Sequence, residues 1–247
     1  MKLIKDKNDY YLINNDSKIK LEIEVVQKYK LYYEQDNLLF SEIIKENNYY
    51  FYYKLALKRL SKMQSRKMLE NYLEEKGIDN FTLNKVIKRL NELKYLDDYE
   101  YAKNYISLKM YSYGKLKLEQ KLINDGVNLK IVKELIEKIN EEEILTELLT
   151  KDLIKINSSF YHYQQKLVRK YYMKGFNLST VNNVLTQLIE DIAYDESDSL
   201  KKDYHKLLLK FQSLNKSDYE IKNSIRQKLL RKGYRLENIK KVEEWYL

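Results

Sequence analysis

The chain of 247 residues has no cysteine, no proline, two histidines, one tryptophan and only five glycines. Each shortage closes off a class of structure or chemistry. Without cysteine there are no disulfides, no thiol nucleophile and no thiolate metal site. His162 and His205 alone supply imidazole, so a zinc site would rest on carboxylates or on a pair far apart in sequence. Neither a GxGxxG nor a P-loop spacing occurs. No nucleophile-elbow motif supports a Ser-His-Asp set. No metal and no cofactor are expected. No run approaches the roughly 20 apolar residues of a membrane span. Met1–Lys7 has no apolar stretch of signal-peptide length, so a soluble, cytoplasmic protein is expected. Without proline, nothing forces breaks in long helices.

The few glycines carry the organisation. Gly77, Gly126, Gly175 and Gly233 are 49, 49 and 58 residues apart. Apolar residues recur at fixed offsets from them. Eight before are Leu69, Leu118, Leu167 and Ile225; four before are Leu73, Leu122, Tyr171 and Leu229. One after are Ile78, Val127, Phe176 and Tyr234; nine after are Val86, Leu135, Val184 and Val242. Such a period means stacked supersecondary units, which more often offer a binding surface than a chemical pocket. Each unit reads as helix, glycine turn, helix. The glycine suits the left-handed C′ position, and the apolar residue after it can close on the one four before. Asp79, Asn128 and Asn177 stand where a short polar side chain caps the next helix; the fourth unit has Arg235 there.

A third helix fits between units. It is expected to start near Asp97-Asp98-Tyr99-Glu100 and near Asp195-Glu196-Ser197-Asp198, 98 residues apart. Between them, the fixed offset points to Thr146-Glu147, a copy without the acidic signature. The fourth unit reaches Leu247 without a third helix. The divisions expected are 1–64 for the N-terminal β-hairpin and helices, 65–113, 114–162 and 163–218 for three-helix repeats, and 219–247 for a helix pair. Tyr10–Ile13 and Lys18–Leu21 flank Asn14-Asn15-Asp16-Ser17 as a hairpin, which needs packing or pairing to be stable. A short helix follows from Glu22 to about Lys30, with Val25, Val26 and Tyr29 inward. A longer one spans Ile43 to Ser61. Its run Tyr49-Tyr50-Phe51-Tyr52-Tyr53 is too continuous for an exposed face and is expected to bridge to the first repeat.

The formal net charge is +9, and residues 163–247 carry 17 Lys+Arg against 11 Asp+Glu. The 25 tyrosines invite a base-stacking reading. Lys, Asn, Ile and Tyr are all common here and Ala is scarce, so an A·T-rich genome is the preferred cause. Two helices concentrate cations: Lys222, Arg226, Lys228, Arg231, Lys232 and Arg235 in the fourth unit, and Lys166, Arg169, Lys170 and Lys174 in the third. By three-and-four spacing these form rows that could align into one basic strip for DNA phosphates or an acidic protein groove. A solvated helix face is an equal alternative. The one cluster with an enzymatic look is Asp97, Asp98 and Glu100. A capping box at a positive helix end accounts for it better, with Asp195 and Asp198 as its copy.

The segment Tyr95-Leu96-Asp97-Asp98-Tyr99-Glu100-Tyr101-Ala102 resembles the signature of the RecX family of recombination regulators. Its setting is similar: Ser65 to Ile78 upstream, then Tyr113-Gly114 and Leu118 to Gly126-Val127 downstream. The opening hairpin and following helix resemble the longer, low-G·C bacterial members. Asp97, Asp98, Tyr101, Ala102 and the four glycines form the structural motif. Tyr99 and Tyr101 stand where members of the family vary. The resemblance implies a mainly α fold of tandem three-helix repeats in an elongated, curved array. It also implies a non-catalytic role. Such proteins bind the RecA recombinase filament on single-stranded DNA and restrain strand exchange, ATP hydrolysis and the coprotease activity behind the SOS response. The partner expected is thus the RecA filament, with single-stranded DNA as a further candidate, no membrane, and a monomeric chain. The competing reading is a helical-repeat DNA-binding protein that needs no RecA.

Overall fold

The computed structural model describes residues 2–14, 17–33, 40–153, 159–190, 195–212 and 217–246. Among them are thirteen α-helices and one small sheet. The chain divides into two compact units, Met1–Tyr105 with Lys121–Lys133, and Ile106–Gln120 with Glu134–Leu247.

The first unit opens with strands β1 (Lys2–Asp6), β2 (Asp9–Asn14) and β3 (Ser17–Leu21), an antiparallel sheet in the order β1-β2-β3. The expected hairpin is β2–β3; its tip residues Asn15 and Asp16 lie outside the described residues. The extra strand β1 pairs Leu3 with Leu12 and Asp6 with Asp9. It supplies the pairing that an isolated hairpin lacks. Helix α1 (Ile23–Lys28) and helix α2 (Phe40–Arg59) follow. Leu12, Leu21, Val25, Val26 and Ile43 close a core between sheet and helices. Asn47 pins this corner: its Oδ1 accepts from the Glu22 N–H (2.7 Å) and its amide donates to the Lys20 carbonyl (3.0 Å). The aromatic run of α2 bridges as its sequence suggests. Tyr50 packs on the N-terminal core, while Tyr49, Tyr52 and Tyr53 pack on the core of the first repeat. Phe51 alone of the five points outward, 49% exposed.

The repeats follow as helix trios. The first is α3 (Arg66–Glu75), α4 (Asn80–Glu92) and α5 (Asp98–Lys109); the second is α6 (Lys115–Asn124), α7 (Leu129–Glu137) and α8 (Glu141–Leu153). The third is α9 (Phe160–Met173), α10 (Leu178–Glu190) and α11 (Ser197–Gln212). Helices α12 (Asp218–Arg231) and α13 (Leu236–Glu243) end in a 3₁₀ turn, Glu244–Tyr246. In the second unit, α8, α9 and α10 share a core built on Leu145, Leu149, Leu167, Tyr171, Phe176 and Val181. Helices α11, α12 and α13 share another, on Leu200, Tyr204, Ile225, Leu229, Tyr234 and Ile239.

The glycine turns are Schellman caps. Gly77, Gly126, Gly175 and Gly233 have φ between 84° and 86°. The residue after each donates to the carbonyl five before it: Ile78 to Leu73 (3.3 Å), Val127 to Leu122 (3.1 Å), Phe176 to Tyr171 (3.1 Å) and Tyr234 to Leu229 (3.2 Å). Each such bond satisfies a carbonyl that the helix end would otherwise orphan. The next helices are capped as expected. Asp79 accepts from the Thr82 N–H (3.0 Å), Asn128 from Lys130 (2.9 Å) and Asn177 from Ser179 (2.9 Å). Arg235 makes no side-chain cap. Helix α12 begins with a complete capping box, Ser217 with Glu220. Its S-x-x-E pattern is the sequence signature of such a box.

The third helices add one contact to the expected caps and correct one expectation. Asp97 does cap α5, its Oδ1 accepting from Tyr99 (2.9 Å) and Glu100 (3.1 Å) N–H groups. Asp98 reaches outside its own helix. Its Oδ1 accepts the Arg66 N–H at the start of α3 (2.8 Å), 32 residues away. The same device recurs: Glu141 accepts from Lys115 N–H (2.8 Å), and Glu196 from Phe160 N–H (3.1 Å). In all three repeats an acid near the start of the third helix thus caps the first. The middle copy is therefore Asn140-Glu141, not Thr146-Glu147. Helix α7 has nine residues where α4 and α10 have thirteen, so the fixed offset overshoots.

Candidate partner-binding surface

The acidic motif is fully engaged in structure. Besides the two aspartates, Tyr101 donates its hydroxyl to the buried Asp125 carboxylate (2.7 Å), which Lys121 also holds (2.5 Å). Burial, and then the Asp125 hydrogen bond, push the Tyr101 phenol above its ordinary range. Ala102 is fully buried. Asp125 in turn sits where repeats join: Ser65 Oγ donates to its carbonyl (2.5 Å). The equivalent joints are Gly114 N–H to the Lys174 carbonyl (3.0 Å) and Ser159 Oγ to the Lys232 carbonyl. Among the described residues no group of three or more His, Cys, Asp or Glu could hold a metal ion. Asp125 and Glu141 are not singled out by the sequence reading, and Glu196 is read there only as part of a helix start. The signal for Glu141 and Glu196 was present as the recurring pairs Asp97-Asp98, Asn140-Glu141 and Asp195-Glu196.

The ten cations proposed for a basic strip divide into two groups. Lys170 pairs with Asp152 (2.5 Å) and Lys232 with Asp203 (2.7 Å). Arg226 grips Glu243 through Nε (2.8 and 2.9 Å) and Nη2 (2.5 Å), tying α13 to α12. Those hydrogen bonds raise the guanidinium pKa further and fix its charge. These three serve the fold. The other seven have no carboxylate partner among the described residues. Lys166, Lys174 and Lys228 lie over the rings of Tyr163 (6.0 Å), Tyr171 (5.5 Å) and Phe211 (4.6 Å). Lys222 is half-buried, and Arg169, Arg231 and Arg235 stand exposed.

The two basic helices meet end to end within the second unit. The start of α9 abuts the turn after α12 through Ser159 and the Lys232 carbonyl. Tyr161 packs against Gly233 so closely that a Cβ there would lie 2.7 Å from its ring. A cavity of about 760 Å³ opens at this joint, lined by Tyr161, Gln164, Ile189, Glu196, Arg235 and Asn238 among others. Glu196 is held in its wall by the Phe160 N–H and by the Asn238 amide (3.2 Å).

These features define a class: a helical-repeat protein whose charged motif is architectural and whose free chemistry is a set of surface cations. No protein-family model matches the chain. Curated relatives do. A regulatory protein RecX of Clostridium perfringens (strain SM101) is 30% identical over 171 residues, covering 65% of this chain and 81% of the relative. Another from Streptococcus agalactiae serotype V is 27% identical over 194 residues, covering 75% and 74%. The crystal structure of RecX from Lactobacillus salivarius matches with a TM-score of 0.52 at 21% identity, over 58% of this chain and 97% of that one. The chain belongs to the RecX family of regulatory proteins, and its fold is theirs.

Proposed function

We propose that the protein binds RecA filaments on single-stranded DNA and restrains their recombinase, ATPase and coprotease activities without catalysing a reaction itself. Family membership supports this kind of partner. The seven cations on or just after α9 and α12 that have no carboxylate partner among the described residues are the observation that carries the surface. They are positive charge that ion pairs do not consume, suited to a large anionic assembly. Their placement on a repeat array allows several weak contacts to add as avidity along a filament. A non-catalytic role agrees with the engagement of Asp97 and Asp98 as helix caps. No helix among the described residues is long and apolar enough to cross a membrane. We place the action in the cytoplasm, by a single chain.

The test is RecA's DNA-dependent ATPase, with this protein titrated in below the RecA concentration and DNA in excess. Inhibition at substoichiometric ratios is the expected result. The triple variant Lys166→Glu, Arg169→Glu, Arg231→Glu should lose it by tenfold or more while melting like the wild type. A wild-type protein that slows RecA only when DNA is limiting would instead be a DNA-binding repeat protein acting without RecA.

A further inference from the structure

One position in the fourth repeat departs from the rule that the others keep, and it opens onto the cavity at the α9–α12 joint. Two residues after the glycine, the first three repeats place Asp79, Asn128 and Asn177, each accepting a hydrogen bond from the helix that follows. The fourth places Arg235, whose side chain makes no cap. Among the described residues Arg235 also has no ion pair and no side-chain hydrogen bond. A local rule broken without a compensating internal contact is the mark of a position serving function rather than stability.

We infer that this cavity docks an acidic segment of the protein partner, with Arg235 receiving a carboxylate and the walls of Tyr161, Ile189 and Tyr234 receiving an adjacent apolar side chain. The inference rests on the reading that the partner is a protein filament. The lining favours a protein over a nucleic acid. It holds one cation, Arg235, and one carboxylate, Glu196. Nucleic-acid backbones are bound by neutralising many phosphates, and a single cation in the lining answers only one. A single planar guanidinium beside apolar surface instead matches one carboxylate in a fork geometry. Glu196 keeps its charge but is oriented by the Phe160 N–H and the Asn238 amide, and among the described residues it makes no ion pair or hydrogen bond with Arg235. Gln164, also in the lining, offers an amide to meet the segment's backbone.

The cap argument makes the test decisive, because stability and binding should move in opposite directions. Arg235→Asp restores the residue type of the first repeat. It should raise the melting temperature by roughly 2–4 °C. The same change should weaken binding to RecA filaments on single-stranded DNA by roughly tenfold or more, with Arg235→Gln falling between it and wild type. Three outcomes overturn the inference. One is that both variants bind filaments as wild type does. Another is that both lose the same factor on bare single-stranded DNA, which makes the contact a phosphate. The third is a fall in the Arg235→Asp melting temperature, which removes the premise that a cap was given up. If the wild-type chain itself fails to bind filaments, the functional reading fails first, and the variants are not needed to show it.

Discussion

Replacing Gly77 and Gly175 by alanine, one at a time, separates two costs that most substitutions confound. Both glycines have φ of 86°, so both alanines bear the same left-handed strain. That strain is about 1–2 kcal/mol, less what alanine recovers by stiffening the unfolded chain. At Gly77 nothing else happens: the nearest atom to a new Cβ is the Tyr52 hydroxyl oxygen at 3.8 Å, an ordinary contact. A net loss of about 1 kcal/mol follows, or roughly 2–4 °C in melting temperature for a chain of this size. At Gly175 the Cβ would lie 2.5 Å from the Cβ of Lys117 and 2.8 Å from its backbone nitrogen. Backbone cannot swing aside as a lysine tip can, so α6 must shift on the turn. Overpacking of this kind adds about 1–3 kcal/mol, for a total near 2–4 kcal/mol and a fall on the order of 10 °C. Denaturant unfolding and thermal melts, followed by helical circular dichroism, read both variants. Gly114→Ala provides a control without positive φ. Its Cβ would lie 2.3 Å from the Gly175 carbonyl oxygen and the Phe176 nitrogen, so it should be as damaging as Gly175→Ala. Equal, small losses at Gly77 and Gly175 would refute the reasoning, since they would mean that the close approach of α6 to the third turn is not a constraint.

Asp98→Ala should cost about 1 kcal/mol by uncapping the Arg66 N–H, and Glu141→Ala more, since Glu141 is buried and accepts from both Lys115 and Asn177 N–H groups. Regulation per folded molecule should survive Asp98→Ala; its abolition at unchanged stability would revive a catalytic role for that carboxylate. Acid should weaken the fold through Asp79 and Glu46. The Thr82 hydroxyl and N–H hold the Asp79 pKa down; at Glu46 burial pushes upward, but hydrogen bonds from Lys28 and Lys85 outweigh it. Both carboxyls therefore bind protons more weakly folded than unfolded, and stability present above about pH 4.5 is lost as pH falls below it. Alkali should act oppositely on Tyr101 and Tyr171, whose phenols are raised by burial and then by Asp125 and Asp152: stability declines above about pH 10, and Tyr101→Phe should flatten part of that decline. Melting temperature measured from pH 3 to pH 11 reads both limbs.

Much of the architecture was legible because its causes are local. A left-handed C′ residue, the apolar residue after it and a short polar cap two further on all act within about two helical turns. The four glycine turns and the helices on either side of them could therefore be placed from spacing alone. The acidic starts of α5 and α11 were legible for the same reason. Strand β1 was not, because five residues reading Lys-Leu-Ile-Lys-Asp carry little signal until Leu3 finds Leu12 across the sheet. The middle acidic copy was misplaced because helix lengths vary inside a repeat of fixed period; a short α7 moves Glu141 forward while its task stays the same.

The basic rows show where local reading stops. Spacing alone established which cations share a helix face. It could not tell that Lys170, Arg226 and Lys232 are consumed by Asp152, Glu243 and Asp203, which lie 18, 17 and 29 residues away. Nor could it show that Asp98 serves a helix 32 residues before it, or that Arg235 and Tyr161 line one cavity. Backbone dihedrals and caps are decided by neighbours a few bonds away, so the chain alone determined the repeat, its turns and its helices. Which charge is neutralised, and which is left for a partner, depends on what packing brings within about 3 Å, and only the tertiary structure decided that.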